Sequence, residues 1–115
     1  MSPYQGNVYA RFGTTQADNT LSYSRPGNIG QDFTSTRAVH NHGSDSLFVN
    51  GLAVETRAGK LSVLGGATGA GLIGEGVNNS FFQGEISEIL VYNRVLSTVE
   101  AALVESYLAQ KYGLQ

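Results

Sequence analysis

The chain contains no cysteine and no tryptophan, and only 14% of its residues are charged. Without Cys there is no disulfide framework and no thiolate for nucleophilic or metal chemistry, and the absence is compatible with either redox compartment. Without Trp, any surface that stacks against a sugar ring has to come from other aromatics, chiefly Tyr. The formal net charge of -2 argues against nucleic acid or an anionic membrane as a partner. No apolar run is long enough to span a bilayer, and the opening MSPYQGN lacks the basic and apolar regions of a secretion signal. If the natural protein is exported, its signal is expected outside this sequence.

What the chain does have is 41% hydrophobic residues and 15 Gly in a length of 115. That mixture suits many short strands and tight turns in one domain spanning residues 1–115, with a single core. Strands are expected at 7–12, 19–24, 33–40, 46–50, 52–57 and 60–64, separated by Gly, Asn, Asp and Pro. Asn50-Gly51 is suited to the two positive φ angles of a type I′ turn, which makes 46–57 a hairpin. Residues 65–76 read as a Gly-rich loop, because the run lacks the Gly-Lys-Ser/Thr ending of a phosphate loop and no helix follows it.

The C-terminal third is the most informative. Alternation from Glu85 to Tyr92 places Ile86, Glu88, Leu90 and Tyr92 on one face and Glu85, Ser87, Ile89 and Val91 on the other. A last strand around 81–93, covered on both faces for part of its length, is therefore expected. A helix over about 98–112 follows. Ser97 and Glu100 have capping-box spacing, Leu96 and Ala101 occupy the staple positions, and Gly113 supplies a left-handed terminator. Val99, Leu103 and Tyr107, beside Val104, Leu108 and Tyr112, predict one broad apolar stripe. The sum is about eight antiparallel strands in two stacked sheets with one helix.

Residues 84–94, GEISEILVYNR, followed by Leu96-Ser97, resemble the closing segment of the concanavalin A-like lectin/glucanase superfamily, in its laminin-G-like and pentraxin-like bacterial forms. The ending 107–114, YLAQKYGL, and the strand and turn 46–51, SLFVNG, resemble the same family. The resemblance covers residues 46–115 apart from a gap at 59–79, and its motifs carry no catalytic group. It implies an all-β, antiparallel two-sheet sandwich of jelly-roll type with one C-terminal helix, an extracellular or cell-surface setting, and glycan binding. Complete domains of the superfamily are longer, so this one is either a compact version or lacks edge strands that another chain supplies. Exposed strand edges and an apolar sheet face predict self-association as a homodimer.

The candidate chemistry is sparse. Retaining glycoside hydrolysis needs two carboxyl groups about 5–5.5 Å apart, whereas Glu85 and Glu88 lie three apart on a strand and point to opposite faces. Glu88 is expected to pair with Arg94 or a buried amide, and Glu85 to be solvated. His40-Asn41-His42, with Asp45 nearby, could ligate a transition metal if a third ligand joined it, but a polar loop holding both His is the preferred reading. Relatives bind calcium through loop oxygens; Asp18, Asn19, Asp32 and Asp45 offer such oxygens without forming a dense acidic run, so a calcium site cannot be placed and no cofactor is expected. For a sugar, the useful side chains are Tyr23, Arg25, Asn28, Asn41, His42, Asp45, Asn78 and Asn79, with Tyr4 and Tyr9 as further aromatics. The expected function is thus a non-enzymatic, lectin-like carbohydrate-binding or adhesion module. The alternatives are a self-associating structural module without a sugar site and, behind it, a glycoside hydrolase.

Overall fold

The computed structural model describes residues 2–4, 7–12, 20–24, 33–58, 71–75 and 79–114. Within them, two three-stranded antiparallel sheets form from consecutive strands. The first runs β1 (Ser2–Tyr4), β2 (Asn7–Arg11) and β3 (Thr20–Ser24). Pro3 cannot donate to a ladder, and accordingly β1 is an edge strand. The second runs β4 (Thr36–Asn41), β5 (Ser44–Val49) and β6 (Leu52–Ala58).

Both connections in the second sheet are two-residue turns. Asn50 (φ 48°) and Gly51 (φ 80°) join β5 to β6, and His42 (φ 43°) and Gly43 (φ 86°) join β4 to β5. Two consecutive positive φ angles define the type I′ geometry, whose twist matches that of the flanking strands. The expected Asn-Gly hairpin is therefore present, and His42-Gly43 makes a second. In β6 the register with β5 slips between Leu47 and Phe48, so that Val54 has no counterpart. Such a bulge increases local twist.

The alternation of β2 and β5 fixes the core. Val8, Ala10, Leu21 and Leu47 are buried together, with Phe12, Tyr23, Ala38 and Val54 packed around them. Fully burying an aliphatic side chain contributes about 1.5–3 kcal/mol, so this cluster, drawn from both sheets, joins them. The outer edge of β3 is closed by side chains of β6: Arg57 Nη1 donates to the Thr20 carbonyl at 2.5 Å, and the Glu55 carboxylate accepts from the Ser22 amide. Two charged side chains thus occupy backbone groups that would otherwise be open to another strand.

Helix α1 (Thr98–Tyr112) has the expected ends. Ser97 accepts from the Glu100 amide while Glu100 accepts from the Ser97 amide, and Gly113 (φ 64°) closes the C-terminus. Its apolar stripe is only partly packed. Ala101 is buried and Val104, Leu108 and Tyr112 are half-buried, but Val99 and Leu103 are 72% and 66% exposed.

The expected strand at 81–93 does not form among the described residues. Phe81 bridges Glu75, and Phe82 N donates to the Gly74 carbonyl at 2.8 Å, but pairing stops there. From Glu85 to Tyr92 the backbone runs without helix, turn or bend and without a ladder. Apolar alternation selects a strand only where a neighbour supplies hydrogen bonds, and no described strand lies alongside. Coverage on both faces is likewise absent, since Ile89 is 51% and Val91 87% exposed. The described strands number six; the expected strand at 60–64 lies outside the described residues.

Candidate functional site

Two clusters fasten the helix to the rest of the chain, and a cleft opens beside one of them. Glu105 Oε1 accepts from Arg37 Nε at 3.2 Å, and Oε2 accepts from Ser35 Oγ at 2.9 Å. The Arg37 guanidinium lies 3.6 Å above the Phe48 ring centroid, so one cation serves both the carboxylate and the aromatic face. Asn50 accepts the Ser35 amide at its side-chain oxygen (2.9 Å) and donates its own amide to the Ser35 carbonyl (2.9 Å), tying the β5–β6 turn to the start of β4. Ser35, Asn50, Glu105 and Ser106 form the polar lining of a cleft of about 200 Å³, and Ala109 and Leu114 line it with apolar groups.

The second cluster centres on Glu88. Its carboxylate accepts from Lys111 Nζ at 2.9 Å, from Tyr112 OH at 2.8 Å and from Tyr107 OH at 3.2 Å. Lys111 also lies 5.1 and 5.3 Å from the two Tyr ring centroids. The Lys111 and Tyr112 hydrogen bonds hold the Glu88 carboxyl below its ordinary range, and the hydrogen bonds to Tyr107 and Glu88 push Lys111 upward. The hydrogen bond that Tyr112 donates to the Glu88 carboxylate raises its phenol. Arg94 is not the partner of Glu88, as had been expected. It forms a two-pronged pair with Glu100 at 2.8 Å for each bond, bringing the Glu100 carboxyl down to about 2. The proximity of Arg94 to the cap of α1 satisfies it locally, which leaves Glu88 to the far end of the helix.

The sequence-based ligand set is scattered. Asn41 and His42 are exposed together at the β4–β5 turn, and Asn79 is exposed with φ 55°. Tyr23 is half-buried against the core. Arg25, Asn28 and Asn78 lie outside the described residues, as do the oxygen donors Asp18, Asn19 and Asp32. Asp45 must be corrected: it is 1% exposed inside β5 and holds His40 Nδ1 at 2.6 Å. His40 is inside β4, with its Nε2 buried and without a partner among the described residues and its ring 5.3 Å from that of Phe12, so the two histidines do not share a loop. Cross-strand register explains the pairing, since His40 lies directly opposite Asp45. Among the described residues no group of three His, Asp or Glu is arranged to hold a metal.

Of the polar residues around the cleft, only Asn50 carried a sequence signal, and that signal was for a turn. Glu105 reads as one more polar position on a helix, and nothing local announces that it meets Ser35, 70 positions away.

No curated protein and no solved structure matches the chain significantly. The family model of the concanavalin A-like lectin/glucanases superfamily, in its laminin-G form, matches residues 4–102, which takes in β2 to β6 and the start of the helix. The chain belongs to the concanavalin A-like lectin/glucanase superfamily.

Proposed function

We propose that this domain is a non-catalytic, lectin-like module that binds carbohydrate and serves adhesion at a cell surface or outside the cell. The observation that carries this reading is the cleft between α1 and the β5–β6 turn. Hydroxyl, amide and carboxylate groups from Ser35, Asn50, Ser106 and Glu105 line it together with apolar groups from Ala109 and Leu114. A sugar presents hydroxyl edges and apolar ring faces, which complement such a mixed lining. At about 200 Å³ the cleft is below the usual range for drug-sized ligands, which favours a terminal sugar over an oligosaccharide chain. The two sheets are read here as the central part of a jelly roll. Glu88, occupied by three donors, supports a role without catalysis, and the module works without a cofactor.

Titration of isotope-labelled protein with methyl glycosides of glucose, galactose, mannose and N-acetylglucosamine tests the reading. Saturable shifts of the Ser35, Asn50 and Ser106 amides are expected with one of them and are expected to vanish in Asn50→Gly, which keeps the turn. A flat response to all four would overturn it. A second reading, a self-associating interaction module without a sugar site, is favoured by the exposed apolar segment at 85–92.

A further inference from the structure

We infer that residues 86–92 form a docking edge for a second copy of this chain, pairing antiparallel with the same residues of that copy about a two-fold axis at Ile89. The inference rests on the second reading above, that the module self-associates, and assigns the surface and the register.

The segment has the makings of a strand and, among the described residues, has no strand beside it. Between the bends at Gly84 and Asn93 its backbone is straight, and among the described residues its one recorded backbone contact is a long bond from Tyr112 OH to the Ser87 carbonyl at 3.4 Å. The edge of β3, by contrast, is occupied by Arg57 and Glu55. An unprotected run of backbone donors and acceptors, flanked by apolar side chains, is a template for strand addition. The Glu88 clamp holds this template in place against α1, so it is presented by a fixed support.

Charge and side-chain matching select the partner. A two-fold axis perpendicular to the new sheet keeps each residue on its own face, so only residues of the same parity can pair. Centred on Ile89, the pairing sets Ile89 opposite Ile89, Ile86 opposite Tyr92, and Glu88 opposite Leu90. Centred on Glu88, it would set two carboxylates opposite each other, which is unfavourable. The Ile89 register therefore brings apolar side chains together on the axis and avoids the facing carboxylates of the Glu88 register.

The area is sufficient. Ile86, Ile89, Leu90, Val91 and Tyr92 are all exposed, and the helix row Val99, Leu103 and Tyr107 leads from the helix N-terminus to Glu88. Their combined exposed surface is on the order of 800 Å², the amount each partner contributes to a standard stable interface.

Light scattering and sedimentation across a concentration series provide the test. Wild-type protein is expected at twice the chain mass. Ile89→Lys, which sets two ammonium groups across the axis, and Val91→Lys, at an 87% exposed position, are expected at the mass of one chain with unchanged circular dichroism. Leu52→Lys, on the 71% exposed start of β6, is expected to remain paired. Because the chain has no Cys, Ile89→Cys alone reports the register: mild oxidation should link two copies through it, and should not do so for Leu52→Cys. A wild-type monomer at every concentration would overturn both the pairing and the self-association reading. A dimer that survives Ile89→Lys and Val91→Lys, with no link through Ile89→Cys, would overturn the surface while leaving self-association standing.

Discussion

Arg37 and Glu105 meet at 3.2 Å across 68 positions of sequence, and with Ser35 they join the first strand of one sheet to the middle of the C-terminal helix. Their side chains are only 26% and 19% exposed, so water screens the pair less than it would a surface contact. Phe48 lies under the guanidinium, and its ring fixes the plane in which Arg37 presents its donors.

Removing the carboxylate is expected to loosen the helix without unfolding the sheets. Glu105→Ala leaves Arg37 and Ser35 without their acceptor and should cost about 1–3 kcal/mol in urea unfolding. Glu105→Gln keeps an acceptor for Ser35 and should cost less. A double-mutant cycle with Arg37→Ala should give a coupling of about 0.5–3 kcal/mol. Strict additivity would show that the pair does not couple the helix to the sheet.

The Glu88 clamp predicts a pH window. A carboxyl held below its ordinary range favours the folded state at neutral pH, and that contribution disappears as pH falls through the lowered value. Lys111 is shifted upward, so its contribution is present at neutral pH and is lost as pH rises beyond the ordinary lysine range. Fluorescence is suited to following it, since Tyr107 and Tyr112 are in the clamp and no Trp masks them. The expected signal is flat near neutrality and changes toward both extremes. In Glu88→Gln the acid limb should vanish. An acid limb that persists unchanged would assign the transition to another carboxylate.

The third prediction concerns the buried pair of β4 and β5. Asp45→Ala strands the His40 ring, whose other nitrogen has no partner among the described residues, and should destabilise the fold by about 2–4 kcal/mol. Asp45→Asn retains a side-chain oxygen facing His40 Nδ1 and should cost less. Chemical denaturation with an unchanged slope and a shifted midpoint would support this account. Equal losses for Ala and Asn would mean that the negative charge, and not the acceptor, is what His40 requires.

The parts of this structure readable in the sequence are those decided by neighbours a few positions apart. The Asn50-Gly51 turn, the Ser97/Glu100 capping box and the Gly113 terminator depend on local dihedral preferences and short-range hydrogen bonds, and each appears at its expected position. The segment 85–92 has equally clear local alternation and still forms no ladder, because a strand is completed by a partner outside it. Asp45 reads as a loop residue because it ends the polar run Asn41-His42-Gly43-Ser44-Asp45; opposite His40 in the ladder, it is instead a buried acceptor. The cleft was invisible for a similar reason, as its walls come from residues near 35, 50 and 105 that only tertiary folding unites.

The two tight turns at His42-Gly43 and Asn50-Gly51 have a consequence for how the chain reaches this state. They make β4, β5 and β6 a continuous meander in which every strand pairs with its sequence neighbour across a loop of two residues. Closing so short a loop costs little chain entropy, and hairpins form in about 1–10 μs. The Ser35–Glu105 contact instead closes a loop of 70 positions and cannot offset that entropy until the sheet it docks on exists. Pulse-labelled amide exchange should accordingly protect β5 early and the helix late. The C-terminal part of the family's recognisable signature is then the last to settle, after the hairpin at 46–51 that carries the rest of it.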